Sequence, residues 1–160
     1  MNSKLYDVVV IGAGPAGNQV AYRLAGMGYS VLVLEQKEHL GDPVCCTGIV
    51  SRQCVEDFAI DEAVILRRVN GAEVFSPSGR LLSLWRAETQ ACILDRPALN
   101  VALAKRAQTR GARYLLDSRV STIEVGIDGV TVDVEGHEGL NRFESRVTVI
   151  ATGFSSRLSE

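Results

Sequence analysis

Three closely spaced glycines are the residues with the clearest chemistry, in the sequence G-A-G-P-A-G at residues 12–17. Gly12 permits a tight turn out of a strand, and Gly14 lets the backbone approach a pyrophosphate. Gly17 lets the following helix pack closely on a sheet. Free N–H groups and the positive dipole end at the start of that helix favour an anion. The spacing therefore predicts a phosphate-binding loop.

An acidic residue stands where such a loop needs one. Glu35 ends a second apolar run 18 residues after Gly17, the spacing expected of a carboxylate that accepts hydrogen bonds from an adenosine ribose. Its charge also disfavours a 2′-phosphate. The alternative interpretation is a glycine-rich turn beside a solvated glutamate, but the elements around the loop favour a dinucleotide site.

A βαβ unit positions these residues. Residues 5–11 and 30–35 are short, β-branched and apolar, as expected of buried parallel strands. Between them Val20, Ala21, Leu24 and Ala25 follow helical spacing, and residues 26–28 end the helix. The predicted fold class is α/β, a Rossmann-like FAD/NAD(P)-binding domain with a parallel sheet plus a small antiparallel β meander.

The remaining patterns complete this expectation. Ser51 can cap a short helix that ends at Phe58, and Pro97 starts a longer helix that ends near Gly111. Trp85 is expected to fill core. Strands are predicted at residues 72–76, 80–87, 91–94, 113–116, 120–125, 130–134 and 142–151, the last as a buried parallel strand.

Composition limits the function classes. The 160 residues are 46% hydrophobic and 22% charged, which is typical of a globular domain, and the formal net charge of −2 argues against nucleic acid as the main partner. Apolar runs are too short for a membrane span, and no signal peptide precedes them, so a cytoplasmic location is expected. Neither the four cysteines nor His39 and His137 have the spacing of metal ligands, so no metal is expected.

Three segments resemble a known superfamily. Residues 7–17, D-V-V-V-I-G-A-G-P-A-G, resemble the opening of the two-dinucleotide-binding-domain flavoproteins, in which this loop binds the ADP half of FAD. Residues 94–99, L-D-R-P-A-L, resemble the R-x-x-L segment of the aromatic-hydroxylase-like subgroup, whose arginine (here Arg96) contacts the phosphate and ribityl side of the flavin. Residues 149–156, V-I-A-T-G-F-S-S, resemble that subgroup's A-x-G-x-x-S strand end, which packs over the adenine nucleotide.

Within the subgroup the chain is most similar to the geranylgeranyl reductase family. Residues 43–48, P-V-C-C-T-G, match its P-x-x-C-x-G element and place Cys46 near the flavin ring, as a proton donor or a pocket-shaping thiol. The alternative for Cys46 is a small residue tolerated in a loop. The resemblance implies FAD contacts by Gly12, Gly14, Pro15, Ala16, Gly17, Glu35, Gln36, Arg96, Val120, Ala151, Thr152 and Gly153.

The family resemblance implies an activity. It is FAD-dependent reduction of carbon–carbon double bonds in a geranylgeranyl or other isoprenoid substrate, with an electron donor such as NAD(P)H or ferredoxin and peripheral membrane contact. The family's later G-D-A-x-G motif and substrate region do not occur in these 160 residues. Residues 1–160 are therefore expected to be the N-terminal portion of an FAD-binding domain, inactive alone.

Three alternatives stay open. A flavin-dependent monooxygenase or halogenase of the same superfamily would lack the P-x-x-C-x-G element. A non-catalytic nucleotide-binding or assembly module would need no third motif. An NAD-dependent dehydrogenase fits the glycine loop, but Arg96 and the A-T-G strand end favour flavin.

Overall fold

The structure is a computed structural model that describes residues 5–41, 46–136 and 139–153. In these residues the chain forms eleven strands, three α-helices and one 3₁₀ turn. In chain order they are β1 (Leu5–Ile11), α1 (Pro15–Gly26), β2 (Val31–Leu34), β3 (Ile49–Ser51), α2 (Arg52–Asp57), the 3₁₀ turn (Glu62–Val64), β4 (Ile65–Val69), β5 (Gly71–Phe75), β6 (Leu81–Trp85), β7 (Ala91–Leu94), α3 (Arg96–Thr109), β8 (Arg113–Leu115), β9 (Ser118–Val125), β10 (Val130–Gly136) and β11 (Gly139–Ile150).

The chain divides into two compact units. The first comprises Met1–Asp42 and Asn100–Glu160, and the second comprises Pro43–Leu99. The boundary falls inside α3, whose first residues belong to the second unit. Each unit has sheets of its own, one in the first unit and two in the second.

The first unit is built on a six-stranded sheet in the order β8-β2-β1-β11-β10-β9. β8, β2, β1 and the second half of β11 run parallel, whereas β10 is antiparallel to both β11 and β9. β11 is long enough to serve both parts, because its first half pairs with β10 and its second half with β1. This arrangement confirms the predicted α/β fold with its antiparallel meander.

Two apolar clusters cover the sheet. On one face Val8, Val10, Val31 and Val33 pack with alanines that include Ala21 of α1. Further residues of β1 and β2 pack against the meander, and this second cluster comprises Tyr6, Val9, Ile11, Leu32, Leu34, Val120, Val132 and Val134. From Val8 to Ile11 and along β2, successive side chains lie in different clusters, as expected of strands buried on both faces.

Register brings the candidate site residues to one edge. Ile11 at the end of β1 pairs with Leu34 at the end of β2 and with Ile150 at the end of β11. Because parallel strands end at the same edge, the glycine loop, Glu35 and Ala151 all leave the sheet side by side. Ligands of open α/β sheets bind outside these carboxyl ends.

The second unit has two small antiparallel sheets. β3, β7 and β4 form one, with Cys92 and Leu94 of β7 buried. β5 and β6 form a two-stranded hairpin of their own. Ser51 caps α2 by accepting a hydrogen bond from the Cys54 N–H, as its sequence position predicts.

Two expectations about burial are wrong. Trp85 does not fill core but is 68% exposed, because β5 and β6 pair only with each other and, in the described residues, neither face of the hairpin is covered. The end of β11 pairs in parallel as predicted, yet Val147 and Ile150 are about half exposed. These two side chains point to opposite faces of the sheet, so apolar composition indicated the pairing and not the burial.

Candidate functional site

Two positions in the loop at residues 12–17 require glycine for steric reasons. Gly12 has a φ of +104°, and a Cβ atom there would lie 2.5 Å from the Ala151 carbonyl oxygen. A Cβ atom on Gly17 would overlap the Gly12 carbonyl oxygen. Glycine at these positions lets the chain turn sharply out of β1 and lets α1 pack beside β11.

Gly14 differs from the other two. Its backbone is extended, with φ −72° and ψ 178°, which any residue can adopt. Among the described residues, apart from the neighbours of Gly14 in the chain, no atom lies within 4 Å of the position that a Cβ would take. The protein itself therefore imposes no need for glycine here, whereas close approach of a ligand to the backbone would.

The start of α1 leaves N–H donors beside Gly14 that have no acceptor among the described residues. Gly14 is the N-cap residue and makes no side-chain cap, and Pro15 occupies the first turn. The first N–H groups of a helix have no intrahelical partner, and they carry the positive end of the helix dipole. An anion at this helix start would meet several donors at once.

Glu35 is tied to the loop by its own carboxylate. Its Oε2 accepts a hydrogen bond of 2.7 Å from the Ala13 N–H, and its Oε1 accepts one of 3.1 Å from the Lys37 N–H. Each carboxylate oxygen has a further lone pair, so both can still accept hydrogen bonds from ribose hydroxyls. Glu35 thus stabilises the loop and remains competent for the predicted contact.

The sequence patterns did not identify a buried polar group that lies beneath the loop. Asn18 of α1 is fully buried, and its Nδ2 donates to the carbonyl oxygens of Ala13 (2.9 Å) and Asn100 (3.3 Å). The Tyr114 hydroxyl of β8 donates to Asn18 Oδ1 at 2.6 Å. Burial raises the pKa of Tyr114 well above its usual value. The hydroxyl therefore stays protonated and remains a donor.

A cleft of about 320 Å³ lies over these groups in the first unit. The structure brings together in its lining nine of the predicted residues: Gly12, Gly14, Pro15, Ala16, Glu35, Gln36, Ala151, Thr152 and Gly153. Residues that the patterns did not identify also line it: Ala13, Lys37, His39, Leu40, Gly41 and Asn100. Residues 37–41 follow Glu35 closely in the sequence. This proximity was the one signal that could have identified some of these additional lining residues.

Two predicted residues of the first unit lie outside the lining. Gly17 is buried behind the loop, where it serves the packing of α1. Val120 is 6% exposed and packs in the apolar cluster between the sheet and the meander. A contact of Val120 with FAD stays a prediction that rests on the family resemblance.

The second unit brings two other predicted elements together. Cys46 is exposed, and its Sγ accepts a weak hydrogen bond of 3.5 Å from the Gly48 N–H. Gly48 has a φ of +75°, and its carbonyl oxygen accepts a hydrogen bond from the Leu94 N–H. A Cβ on Gly48 would lie 3.1 Å from Arg96 Cγ. The cysteine element therefore packs beside the segment that carries Arg96, although Pro43 and Cys45 lie outside the described residues.

Arg96 begins α3 and carries an unmet hydrogen-bonding group. Its Nε is buried and has no partner among the described residues. Buried donors of this kind are normally paired, and a guanidinium favours phosphate oxygens. The contact of Arg96 with the flavin side of FAD is untested and stays a prediction.

Across the described ranges no group of three or more His, Cys, Asp or Glu side chains could hold a metal ion. None of the helices within them is long and apolar enough to cross a membrane.

Residues 6–160 match the family model described as pyridine nucleotide-disulphide oxidoreductase. Among curated proteins, a digeranylgeranylglycerophospholipid reductase from Methanococcus vannielii is 29% identical over 157 residues, which is 97% of this chain and 40% of that protein. The chain thus spans less than half the length of this relative.

Solved structures give the same relationship. A geranylgeranyl bacteriochlorophyll reductase-like protein from Thermoplasma acidophilum superposes with a TM-score of 0.86 at 25% identity, over 94% of this chain and 40% of that one. The anhydrotetracycline hydroxylase OxyS from Streptomyces rimosus superposes with a TM-score of 0.74 at 28% identity, over 94% of this chain and 32% of that one. The predicted resemblance to geranylgeranyl reductases within an aromatic-hydroxylase-like group is confirmed.

Proposed function

The chain belongs to the pyridine nucleotide-disulphide oxidoreductase family of FAD-dependent oxidoreductases, with FAD as cofactor, and we propose that it serves the reduction of carbon–carbon double bonds in an isoprenoid substrate. The curated relative is named for such a substrate. The P-x-x-C-x-G element at residues 43–48, which the resemblance links to geranylgeranyl reductases, supports the same substrate class.

One observation carries the cofactor part of this proposal. Gly14 lies in the lining of the cleft, and no atom of the other described residues lies within 4 Å of the place where its side chain would be. Ala16 in the first turn of α1 and Glu35 line the same cleft. The residues present therefore fit a diphosphate with an adenosine ribose beside it.

The chain's own residues have distinct tasks in this scheme. The loop and the start of α1 would bind the diphosphate, and the Glu35 carboxylate would accept hydrogen bonds from the ribose hydroxyls. Arg96 supplies a positive charge for the flavin side of the cofactor. When bound, FAD in its reduced form would supply the hydride for alkene reduction, with the proton coming from the protein, and an electron donor such as NAD(P)H or ferredoxin would reduce the flavin again.

Cys46 is the proposed source of that proton. Its thiol is exposed and its loop packs beside Arg96 through Gly48, so a substrate could reach it. Replacing Cys46 by alanine should lower the turnover at least about tenfold, because general acids contribute roughly 10²–10⁴ in rate. Turnover and product distribution equal to those of the unaltered enzyme would remove Cys46 from the mechanism. The matched control is Cys54→Ala in α2.

The substrate proposal is tested by product analysis. The full-length, FAD-loaded enzyme that contains these 160 residues, reduced without oxygen, would be incubated with a lipid that carries geranylgeranyl chains, and mass spectrometry would measure the masses of the products. A gain of two hydrogens for each reduced bond is expected. Bound FAD with an unchanged lipid would contradict the proposal and favour a nucleotide-binding module.

A hydroxylase is the second candidate, favoured by the superposition on an anhydrotetracycline hydroxylase. It predicts products that gain an oxygen atom and form only in air. The same lipid incubation, repeated with oxygen and with an aromatic substrate, separates the two candidates. Oxygen insertion without any hydrogenated product would replace the reductase proposal by the hydroxylase.

A further inference from the structure

The buried amide of Asn18 lies directly beneath the phosphate-binding loop. Its Nδ2 donates to the Ala13 carbonyl oxygen at 2.9 Å. On the other side of the same residue, the Ala13 N–H donates to Glu35 Oε2 at 2.7 Å. Both peptide groups of Ala13 are therefore held, one by a buried amide and one by the ribose-binding carboxylate.

The orientation of the next N–H follows from peptide geometry. In a trans peptide the C=O and the following N–H point in opposite directions. Because the Ala13 carbonyl points to the buried Asn18, the Gly14 N–H points away from it. Gly14 lines the cleft, and among the described residues its N–H has no acceptor. A phosphate in the cleft would supply that acceptor.

Tyr114 holds the Asn18 amide in the orientation that this requires. A flip of a side-chain amide exchanges the positions of its oxygen and nitrogen atoms. The Tyr114 hydroxyl donates to Asn18 Oδ1 at 2.6 Å. If the Asn18 amide flipped, this hydrogen bond would be lost, and Oδ1 would face the Ala13 carbonyl oxygen, to which Nδ2 now donates. The second Nδ2 proton is occupied by the Asn100 carbonyl oxygen at 3.3 Å.

We propose that Asn18 and Tyr114 are a pair of positioning residues that direct the Gly14 N–H toward the pyrophosphate of FAD. The pair contacts no part of the cofactor and acts through the Ala13–Gly14 peptide. The inference rests on the dinucleotide-binding part of the proposed function and is independent of the isoprenoid substrate.

The test compares ADP with adenosine as probes of the 160-residue chain. Tyr114→Phe should weaken ADP binding by about threefold to tenfold, because one hydrogen bond to the diphosphate is misdirected. Adenosine affinity should stay unchanged, since it has no diphosphate. Tyr6→Phe is the matched control, because it removes another buried tyrosine hydroxyl in the same unit and should leave both affinities unchanged.

A second variant tests whether the pair acts as one unit. Asn18→Leu should lower the ratio of ADP to adenosine affinity at least as much as Tyr114→Phe, and combining the two should add little. Equal loss of ADP and adenosine affinity would indicate a merely structural role and would overturn the proposal, as would an unchanged ratio.

Amide resonances provide a readout that does not depend on ligand affinity. In ¹⁵N-labelled chain, Tyr114→Phe should shift the Ala13 and Gly14 amide signals, whereas Tyr6→Phe should leave both in place. Unmoved Ala13 and Gly14 signals in Tyr114→Phe would contradict the proposal even if the chain bound no ADP. Failure of the isoprenoid assay would leave all of these outcomes unaffected.

Discussion

Glu35 holds the loop in place and is the residue that we propose to bind the ribose. Its two oxygens accept hydrogen bonds from the Ala13 and Lys37 N–H groups, which fixes the loop, and Glu35 lines the cleft. A carboxylate in this place can accept hydrogen bonds from both ribose hydroxyls and would repel a phosphate on the 2′ position. We therefore propose that the charge of Glu35 decides which nucleotide this site prefers.

Neutralising that charge should alter nucleotide choice. We expect Glu35→Gln to narrow the preference for 5′-ADP over adenosine 2′,5′-bisphosphate by about tenfold, because the like-charge repulsion is removed. Competition titrations against bound FAD measure both affinities. Glu38→Gln removes an exposed charge from the same loop and should leave the preference unchanged. An equal preference in Glu35→Gln and the unaltered chain would show that Glu35 does not face the ribose.

The roles of site residues that lie close together in the sequence could be predicted, whereas the roles of residues that lie far apart in the sequence could not. The glycine loop and Glu35 belong to one βαβ unit with a fixed spacing, so the sequence alone indicated their chemistry. Asn18 and Tyr114 are separated by 96 positions, and neither shows its role until α1 and β8 are placed. A polar residue on the buried side of α1 is the one local sign of such a partner.

At the scale of elements, the strands of the sheet follow their patterns closely. β1 covers the predicted residues, and β8 and the β9–β10 hairpin also form where predicted. α3 begins at Arg96, because Asp95 caps the helix by accepting a hydrogen bond from the Ala98 N–H at 3.0 Å. This cap fixes where the helix starts and so where Arg96 stands.

Removing the cap should destabilise α3. We expect Asp95→Ala to lower the free energy of unfolding by about 1 kcal/mol, the usual cost of losing an N-cap side chain. Urea denaturation followed by circular dichroism measures the change. Asp95→Asn keeps an acceptor at the same place and serves as the control, with little change expected. Equal destabilisation by both substitutions would show that the cap is not the cause.

The β5–β6 hairpin shows where composition misleads. Its apolar run is typical of a buried strand, yet Leu82 and Leu84 are both more than half exposed. Cross-strand register puts these two on one face with Ala72 and Val74, a wholly apolar surface. The sequence pattern indicates which side chains of a strand are suited to a buried position. Whether they are buried depends on which other elements pack over the strand.

At the scale of the whole molecule, exposed apolar surface should affect behaviour in solution. Surfaces of this kind promote association, so the 160-residue chain should self-associate as its concentration rises. Leu82→Lys should reduce that association more than Leu81→Lys, because Glu73 and Ser83 interrupt the face on which Leu81 lies. Sedimentation velocity measures both variants. A chain that stays monomeric at all concentrations would contradict this expectation.

FAD binding to Gly14→Ala shows whether Gly14 admits a dinucleotide to the cleft. Flavin fluorescence titration should show FAD affinity at least about tenfold weaker at an unchanged melting temperature, because the added Cβ would meet the ligand and, apart from chain neighbours, lies within 4 Å of no atom of the described residues. Gly26→Ala near the end of α1, where a Cβ has room, should bind FAD normally. Equal FAD affinity in Gly14→Ala and the unaltered chain would show that the cofactor does not approach the Gly14 backbone.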